Sequence, residues 1–513
     1  MKDMETAVQR IQQAIEKGES LMVYGDYDVD GTTSVALVSS YLQKHTNSLT
    51  AYIPDRYAEG YGLSYAGIDE AKKRGATLVI VLDCGTKAVE KIEYATSLGI
   101  DIIICDHHRP GPVLPKAVAL LNPKRDDNTY PDTNLSACGV GFKLVQALEE
   151  SLGGDVTNLS ELLDLVAASI ASDIVPVLGE NRVLATFGLK QINHGPRIAF
   201  AQLLGSADGP KDSDATLSDL VFKVGPKINA AGRIEHGMRA VEFLLSENPM
   251  ESKNLLENIR ENNETRRDLD SSITLEALAQ VEEKLHEHPN LSSTVVFSPD
   301  WHKGVVGIVA SRLIENHYKP TIVLTQSGDK IAGSARSVRG FDVHKALDAC
   351  SEHLEQFGGH MYAAGMTLLP ENLEAFERAF EKVVSETLPP ELKVPVLEID
   401  AEMDLCDLTP KFYRLLSQFE PFGPENMKPN ICSRGLTLLN AKLVGADQRH
   451  LKGVVLCPKD QTAIDVIGFG LGEKFNSLPK DKPVDIVYHL EVNSFRGQKS
   501  LQLSLKDIKP FNS

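Results

Sequence analysis

Short apolar runs alternate with longer amphipathic segments along the first 200 residues of the chain. The short runs are rich in β-branched residues, which favours strands, whereas the longer segments carry apolar residues at helical spacing. We predict strands at residues 21–25, 50–53, 77–82, 100–105 and 117–121. Helices are predicted at residues 32–43, 66–74, 88–98, 139–150 and 159–172. Strands that alternate with helices are typical of a parallel sheet, so the pattern predicts an α/β fold.

The pattern changes over residues 236–290, where charged residues and helix formers dominate. Residues 250–286 are predicted to form one or two long helices, either as a strut between domains or as an exposed helix with no special role. Strand and helix signals then resume and predict a second, smaller α/β domain, with strands at 294–297 and 321–325 and a helix at 372–387. The last region predicts a small β-barrel, because short alternating runs are separated by turn residues at 436–443, 452–457, 463–468, 484–492 and 500–505.

Composition excludes several classes of protein. The 513 residues have room for about three domains, and 42% hydrophobic with 24% charged residues is ordinary for globular proteins. No run approaches the ~20 apolar residues that span a bilayer, and the N-terminus lacks an apolar signal segment. The seven cysteines contain no C-x-x-C pair. We therefore expect a cytoplasmic protein without a membrane partner.

The charge balance limits how this chain can bind a polyanion. The formal net charge is −18, so a diffuse attraction to nucleic acid is not available. A polyanionic ligand would need a locally basic groove or bound metal ions.

Three of the predicted strands are followed directly by an acidic residue: Asp26, Asp83 and Asp106. The carboxyl ends of parallel strands meet at one edge of a sheet, so these acids are expected to converge. The first strand continues with acids at every second position, and alternate residues of an extended segment face the same side. Asp28 and Asp30 are therefore expected beside Asp26.

Such a cluster of like charges is usually resolved by bound divalent cations or by protonation. His107 and His108 follow Asp106 and add imidazole nitrogens. Carboxylate oxygens with one or two imidazoles suit Mg²⁺ or Mn²⁺, whereas zinc sites more often recruit thiolates or further histidines. We predict a divalent metal site with Mn²⁺ as the preferred ion.

Each motif also has a plain structural interpretation. A single Asp after a strand, such as Asp83, is usually a helix N-cap or a turn residue, and residues 106–108 alone could form a polar turn. The run that begins at Asp26 resembles the start of an EF-hand loop, but Leu37 occupies the twelfth position where that loop needs Glu. Three acid-terminated strands with adjacent histidines in one domain favour the metal site.

A pair of cations would suit phosphoester hydrolysis, because two metal ions polarise a phosphoryl oxygen, lower the pKa of a bound water and orient its attack. The sequence contains neither a G-x-S-x-G elbow nor the G-x-x-x-x-G-K-[ST] pattern. A serine hydrolase and an NTP-driven motor are therefore not indicated.

Four ordered motifs resemble those of the DHH phosphoesterase superfamily: residues 24–32 (YGDYDVDGT), 82–85 (LDCG), 106–108 (DHH) and 171–173 (ASD). Residues 53–62, 225–233 and 301–310 are similar to segments of the RecJ family, one branch of this superfamily. Members of the RecJ family are single-stranded-DNA-specific 5′→3′ exonucleases. Residues 333–337 and 358–360 resemble the DHH-associated domain, and residues 421–424 precede an OB-like barrel.

The resemblance implies an α/β fold with a parallel-sheet DHH domain, a long connecting helix, a smaller α/β DHH-associated domain and a C-terminal OB-like β-barrel. We expect the DHH catalytic domain at residues 1–235 and the helical connector at 236–290. The DHH-associated substrate-binding domain is expected at 291–390 and the OB-fold nucleic-acid-binding domain at 391–513.

The resemblance also implies roles for individual residues. The family's metal ligands fall on Asp26, Asp28, Asp30, Asp83, His107 and Asp173. Asp106 is expected to orient a metal-bound imidazole and His108 to face the scissile phosphate. Asp26 stands where small-molecule DHH enzymes tend to carry His, which favours the exonuclease branch.

Substrate is expected to contact Arg56, Asn229, Arg233, His302, Ser334, Arg336, Gly358, Gly359 and His360. Arginine supplies a planar fork for phosphate oxygens, and glycines let a nucleotide approach the backbone. Taken alone, each arginine also fits a surface ion pair, and the two glycines also fit a turn between a helix and a strand.

The function implied is a metal-dependent exonuclease that releases mononucleotides from the 5′ end of single-stranded DNA by two-metal hydrolysis, in DNA repair and recombination. Its cofactors would be two Mn²⁺ or Mg²⁺ ions. A helicase and a single-strand-binding protein are candidate partners, and a monomer is expected. The alternatives are a DHH phosphodiesterase for short oligonucleotides or cyclic dinucleotides, and an inactive DNA-binding scaffold. The long chain and the barrel argue against the first, and the intact acid motifs against the second.

Other residues carry weaker expectations. Trp301 could stack on a base or pack in a core, and Glu425 stands where a glycine is common in the family. Relative to the family, the sequence begins close to the first catalytic strand, so a segment that usually precedes it is expected to be missing. The barrel could bind a single strand through basic and aromatic residues at Arg449, His450, Lys452, Tyr488, Phe495, Arg496 and Lys499.

Overall fold

The computed structural model describes residues 1–205, 214–445, 447–479, 482–495 and 498–511. The chain divides into two compact units. The first comprises Met1–Gly232, His236–Glu257 and Glu398–Ser513, and the second comprises Arg233–Glu235 and Asn258–Leu397. Among the described residues, no helix has both the length and the apolar character that crossing a bilayer requires. The domain boundaries expected from the sequence stay predictions.

A five-stranded parallel sheet forms the centre of the N-terminal region. Its strands are entirely apolar or nearly so, as is usual for a parallel sheet covered on both faces. The elements in chain order are α1 (Met4–Lys17), β1 (Leu21–Gly25), α2 (Val29–Leu42), β2 (Leu49–Tyr52), α3 (Tyr65–Lys73), β3 (Leu78–Leu82), α4 (Val89–Ser97), β4 (Asp101–Cys105), β5 (Ala119–Leu121) and α5 (Ala137–Ser151).

The strand order β2-β1-β3-β4-β5 places a topological switch between β1 and β3. The chain leaves β1 toward one side of the sheet to make β2 and returns to the other side to make β3. Ligands of open α/β sheets bind at such a point, outside the carboxyl ends of the strands. The predicted parallel sheet is confirmed, and its switch point lies where the sequence places the first acidic residues.

A group of helices follows along the chain, and residues 258–287 of the last of them belong to the second unit. Residues 159–172, predicted as one helix, form a 3₁₀ helix at Val156–Leu162 followed by an α-helix. The one or two long helices predicted over residues 250–286 are a single helix of 39 residues. The helices are α6 (Leu163–Ser172), α7 (Gly179–His194), α8 (Ile198–Leu203), α9 (Leu217–Asp219), α10 (Gly225–Ile234), α11 (Met238–Leu245) and α12 (Pro249–Glu287), with a π-helical turn at Leu220–Val224.

The second unit contains a mixed five-stranded sheet in the order β6-β7-β8-β10-β9. The sequence analysis missed β8 to β10, because glycines at 333, 358, 359 and 365 weaken the strand signal. Trp301 belongs to the core here, since only 4% of it is exposed and its ring nitrogen donates to Glu276. The elements are β6 (Thr294–Ser298), α13 (Val306–Asn316), β7 (Thr321–Ser327), β8 (Lys330–Arg336), α14 (Val343–Asp348), β9 (Gln356–Gly359), β10 (Ala363–Leu368) and α15 (Leu373–Thr387).

The C-terminal region is a closed β-barrel, because β12 pairs with both β13 and β15. Tyr488 is not a stacking platform for bases: it is fully buried, and its hydroxyl is bonded to Ser433. Arg496 lies outside the described residues. The elements are β11 (Ala401–Glu402), α16 (Pro410–Leu416), β12 (Ile431–Val444), β13 (His450–Leu456), β14 (Ala463–Gly468), α17 (Gly472–Asn476), β15 (Val484–Phe495) and β16 (Gln498–Pro510).

The turn before the barrel packs against the N-terminal region within the first unit. Val177 donates its N–H to Pro424 O at 2.8 Å, and Arg182 Nη2 donates to Phe419 O at 2.9 Å. Glu425 adopts a left-handed φ of 60°. Glycine reaches that conformation without steric cost, so Glu425 keeps a glycine-like turn at some expense in backbone energy.

Gly188 sets the spacing of α6 and α7, and α6 leads to Asp173. A Cβ at position 188 would lie 2.2 Å from Leu163 O. We expect Gly188→Ala to lower the free energy of unfolding by about 1–2 kcal/mol in urea denaturation, because the cost of overpacking exceeds the gain in helix propensity. Gly141→Ala, in α5 with its nearest atoms at 3.4 Å, is the control and should be neutral or stabilising. Equal stability of both variants would contradict this role of Gly188.

Candidate metal centre

The first acidic motif is a strand, a turn and a helix, not an extended segment. β1 ends at Gly25, Asp26 follows it, and Asp28 is the N-cap of α2, where its carboxylate accepts from Gly31 N at 3.1 Å. Asp30 lies in the first turn of α2. The expectation that alternation along a strand brings the three carboxylates together was therefore wrong in its geometry. They converge because the chain turns sharply.

Gly31 permits this turn. A Cβ at this position would lie 2.3 Å from Asp26 O, closer than any side chain can approach a backbone oxygen. The glycine that follows the three acids is therefore required by the close approach of α2 to the end of β1.

Two further strands and one helix bring the remaining acids. Asp83 follows β3 and has a φ of 61°, a left-handed conformation that is costly for most residues and least so for Asn and Asp. Asp83 is not a helix N-cap, since α4 begins at Val89. Asp106 follows β4, and Asp173 is the C-cap of α6.

These side chains form three overlapping groups, in each of which the potential ligand atoms lie within 4.8 Å of one another. Asp83 and His107 each belong to two groups, so the groups are adjacent and share ligands. The groups are Asp26 with Asp28 and Asp83, Asp83 with His107 and His108, and Asp30 with His107 and Asp173. The structure thus brings together all six residues predicted as metal ligands.

His107 is the clearest sign that this cluster is built for a cation. Both ring nitrogens are buried and have no hydrogen-bond partner among the described residues. Nε2 lies 3.5 Å from Asp83 Oδ1, 3.5 Å from Asp173 Oδ2 and 3.8 Å from Asp30 Oδ2. Buried polar atoms are normally satisfied, so an imidazole that points at three carboxylates without bonding any of them fits a metal ligand.

The protonation states show the cost of this arrangement. Burial and the charge of Asp28 raise the pKa of Asp26 well above its usual value, and burial with Asp30 and Asp28 does the same for Asp83. Burial lowers the pKa of His107 to about 4. Neutral imidazole is the form that binds metal, and bound cations would return the carboxyl groups to their ionised form.

Asp106 holds His108, not the expected metal-ligand imidazole of His107. Asp106 Oδ1 lies 2.8 Å from His108 Nδ1 and accepts the backbone N–H of His107 at 2.7 Å. Burial alone would lower the pKa of His108, but the bond to Asp106 raises it above its usual value. The ring's other nitrogen, Nε2, lies 3.1 Å from the Tyr61 hydroxyl.

Asp30 is held by hydrogen bonds that the sequence analysis did not foresee. Its Oδ2 accepts from Ala137 N and its Oδ1 from Cys138 N, both at 2.8 Å, at the N-terminus of α5. Ser169 Oγ lies 2.7 Å from Asp30 Oδ1. Because Oδ1 has three partners, including Ser34 Oγ at 3.5 Å, and Oδ2 has one, Oδ2 is the oxygen available to a cation beside His107.

Two predicted substrate residues, Arg56 and Asn229, belong to the first unit. The Arg56 guanidinium stacks over the Tyr27 ring at 4.8 Å and acts electrostatically on Asp26. Asn229 lies on α10, which packs so closely on the same loop that a Cβ at Gly232 would lie 2.6 Å from Tyr27 O.

The other predicted substrate residues belong to the second unit. Arg336 Nη1 donates to Ser334 Oγ and to Ala335 O, both at 2.8 Å, and a Cβ at Gly307 would lie 2.9 Å from the Arg336 guanidinium. Arg233 Nη1 donates to Gly304 O at 2.7 Å, and His302 Nδ1 accepts from Gly304 N at 3.2 Å.

Gly358 and Gly359 lie on β9, not on a turn between a helix and a strand. Gly359 has a φ of 146°, and a Cβ there would lie 2.4 Å from Ala363 O. His360 follows the strand and is exposed, and its N–H donates to Ala363 O.

Sequence reasoning missed the residues that support the cluster, namely Tyr61, Thr86, Asn122, Ser136 and Ser169. Their contacts join residues up to 139 positions apart, which no local pattern reveals. Tyr61 alone had a signal, since it lies in a segment already noted for its family resemblance.

Family profiles and curated relatives both match this chain. Three family profiles match it: "DHH family, N-terminal domain" over residues 20–170, "DHHA1 domain" over 290–386 and "RecJ OB domain" over 399–507. The single-stranded-DNA-specific exonuclease RecJ of Escherichia coli is 34% identical over 526 residues, which cover 99% of this chain and 90% of that protein. This chain belongs to the RecJ family.

Two further RecJ proteins extend the comparison. RecJ of Bacillus subtilis is 37% identical over 509 residues, and the chain spans 63% of its length. The crystal structure of RecJ from Thermus thermophilus in complex with Mn²⁺ matches 100% of this chain and 72% of that one, with a TM-score of 0.84 and 25% identity. The acidic groups described above fit a divalent metal ion of this kind.

Ser169 is expected to position Asp30 for metal binding. Ser169→Ala should weaken Mn²⁺ binding about 10-fold, because groups that orient a ligand commonly cost 10–100-fold when removed. Electron paramagnetic resonance of free Mn²⁺ measures this affinity without substrate. Ser39→Ala is the matched control, since Ser39 is a buried helical serine whose hydroxyl has no hydrogen-bond partner in the part of the chain that the structure describes. If the two variants bind Mn²⁺ equally, Ser169 has no positioning role.

The carboxylate cluster also predicts how stability depends on pH. Asp26 and Asp83 have raised pKa values in the folded protein, so their ionisation costs stability, and this cost grows as pH rises from about 4 through the raised values. In EDTA, the melting temperature should therefore fall as the pH rises above about 4, because the unfolded chain then loses protons from both carboxyl groups that the folded protein retains, and Mn²⁺ should restore it.

Asp83→Asn tests the same point at one residue. Asn tolerates the left-handed backbone at position 83 and removes one charge. At pH 8 in EDTA, this variant should be more stable than the unsubstituted protein, whereas Mn²⁺ should stabilise it less. A variant that is less stable in EDTA would contradict charge repulsion as the cause.

Proposed function

We propose that this chain is a metal-dependent exonuclease that degrades single-stranded DNA from its 5′ end and releases mononucleotides. The observation that carries the proposal is the set of overlapping ligand groups around His107, at the switch point of the sheet, in a member of the RecJ family. RecJ of E. coli is by its name a single-stranded-DNA-specific exonuclease.

The metal ligands proposed are Asp26, Asp28, Asp30, Asp83, His107 and Asp173. Asp83 and His107 each belong to two of the ligand groups, so the cluster suits two adjacent cations. Mn²⁺ is the preferred ion and Mg²⁺ the alternative. Bound there, two divalent cations would polarise the scissile phosphate and supply a nucleophilic water at neutral pH.

His108 is the proposed proton carrier. The hydrogen bond to Asp106 raises the pKa of His108, which favours the protonated ring, and it fixes the ring through Nδ1. Nε2 is then the atom that donates, either to a phosphate oxygen or to the leaving oxygen as the phosphodiester bond breaks. The Tyr61 hydroxyl orients this nitrogen at 3.1 Å.

Arginines are proposed to bind the phosphates of the strand. Arg56 is held against the Tyr27 ring, and Arg336 is fixed by Ser334 and Ala335, so each guanidinium is ordered before substrate arrives. Burial lowers the pKa of Arg336, yet arginine stays charged at neutral pH. Asn229, Arg233, His302, Gly358, Gly359 and His360 are the further substrate residues proposed.

The biological setting follows from this activity as part of the proposal. A 5′→3′ exonuclease for single strands suits DNA repair and recombination in the cytoplasm, beside a helicase that supplies the strand and a protein that coats it. The chain is proposed to act as a monomer.

Digestion of 5′-labelled single-stranded DNA with Mn²⁺ tests the function. Labelled mononucleotide should appear from the single strand, whereas duplex DNA and a dinucleotide should be poor substrates. Asp83→Ala should lower the rate at least about 100-fold by removing a shared ligand. Lys116→Ala, an exposed lysine in the same domain, is the control and should be fully active.

Other outcomes would change the assignment. Preferred cleavage of the dinucleotide would move the chain to the phosphodiesterases of short oligonucleotides. Binding of single strands without cleavage, in the presence of bound Mn²⁺, would contradict the proposed nuclease activity.

A further inference from the structure

Lys124 is a cation at the edge of the acidic cluster for which neither the fold nor the motifs account. Lys124 follows β5, which pairs with β4, and Asp106 follows β4. The Lys124 side chain is largely buried, and its ammonium interacts electrostatically with Asp173, Asp106 and Asp30. The structure includes no ion pair of Lys124 within 4.0 Å among the described residues.

The loop that carries Lys124 is fixed to the catalytic residues. Asn122 is fully buried, and its Nδ2 donates to His108 O at 2.8 Å and to Thr86 Oγ1 at 2.9 Å. Its Oδ1 accepts the backbone N–H of Lys124 at 2.8 Å, and Thr86 N donates to Asp106 Oδ2 at 3.0 Å. Lys124 is therefore held in register with the Asp106–His108 pair.

The next residue, Arg125, differs from Lys124 because it forms ion pairs. Arg125 is fully engaged, with Nη1 2.6 Å from Asp3 Oδ2 and Nη2 2.8 Å from Asp127 Oδ2. A buried charge without a direct partner is costly, because desolvation is not repaid by an ion pair. The protein therefore keeps Lys124 beside the acids at a cost.

A metal ion cannot be the partner of Lys124, because divalent cations bound at the cluster would repel its positively charged ammonium group. The missing partner must be an anion that arrives with them, and a phosphate group is the anion that bridges metal ions and lysine most readily. We infer that Lys124 binds a non-bridging oxygen of the scissile phosphate. This inference rests on the proposed function and adds a phosphate-binding residue to it.

Phosphate binding by Lys124 and a purely structural role of its charge have different consequences. If its charge only offset the carboxylates, its removal would alter metal binding and stability but not recognition of phosphate. If it binds the scissile phosphate, its removal weakens the interaction only where that phosphate is charged.

Two uncleavable oligonucleotides make this distinction with Mn²⁺ present. Both are 5′-phosphorylated single strands altered at the first linkage: one has a methylene group in place of the bridging oxygen and keeps the negative charge, and the other is a neutral methylphosphonate. Lys124→Met should weaken binding of the charged analogue about 10-fold or more, as loss of a charge-assisted hydrogen bond does, and change the neutral analogue less than about twofold.

Supporting measurements complete the test. On ordinary single-stranded DNA, Lys124→Met should lower kcat/KM by about 10–100-fold, and Lys124→Arg should retain more activity because it keeps the charge. Lys116→Met, at an exposed lysine before β5, should match the unsubstituted protein. Mn²⁺ affinity, measured by electron paramagnetic resonance, should stay equal or become tighter, since a repelling charge is removed.

The results that overturn the inference are distinct from those that overturn the function. Equal loss on the charged and neutral analogues, no loss on either, or a fall in Mn²⁺ affinity as large as the fall in DNA binding would each refute phosphate binding by Lys124. If the unsubstituted protein does not cleave single-stranded DNA, the proposed function fails and the inference fails with it.

Discussion

Repulsion among buried carboxylates is the constraint on which the centre depends. Asp26, Asp28, Asp30 and Asp83 approach one another at the carboxyl ends of β1 and β3, where burial denies them the screening of water. No hydrophobic packing compensates for this directly. The protein holds the acids together because α2 packs tightly on the sheet, and it offsets Asp30 with the N-terminus of α5.

The same sheet edge separates two kinds of carboxylate. Asp83 lies 3.9 Å from His108 Nδ1, too far for a hydrogen bond, and its pKa is raised by burial and by its acidic neighbours. Asp106 follows the adjacent strand, but bonds to His108 and to backbone N–H groups lower its pKa despite equal burial. The first kind is suited to bind a cation from solution, and the second is bonded to the His108 ring. One edge therefore provides both candidate metal ligands and a carboxylate–imidazole pair.

The parallel sheet, the long helix and the barrel could be predicted because the spacing of apolar residues along the sequence indicates each strand and helix. The convergence of the proposed metal ligands could be predicted because each follows a strand or belongs to a short motif. The strands at 330–336 and 356–359 could not be predicted, since their glycines interrupt the alternation of apolar and polar side chains. The partner of Asp106 could not either, because the choice between His107 and His108 depends on ring orientation. Ser169 and Asn122 reach the centre only through the tertiary fold.

Charge balance explains how an acidic chain can hold a polyanion. The His108 ring, whose pKa is raised, offsets Asp106, which leaves five carboxylates at the cluster. Two divalent cations would nearly neutralise these five, and an incoming phosphate would restore a net negative charge. Arg56 acts electrostatically on Asp26, and Lys124 interacts with other acids of the cluster, so both add positive charge there. The net charge of −18 is therefore no obstacle, because the balance that substrate meets is local and depends on the metal ions.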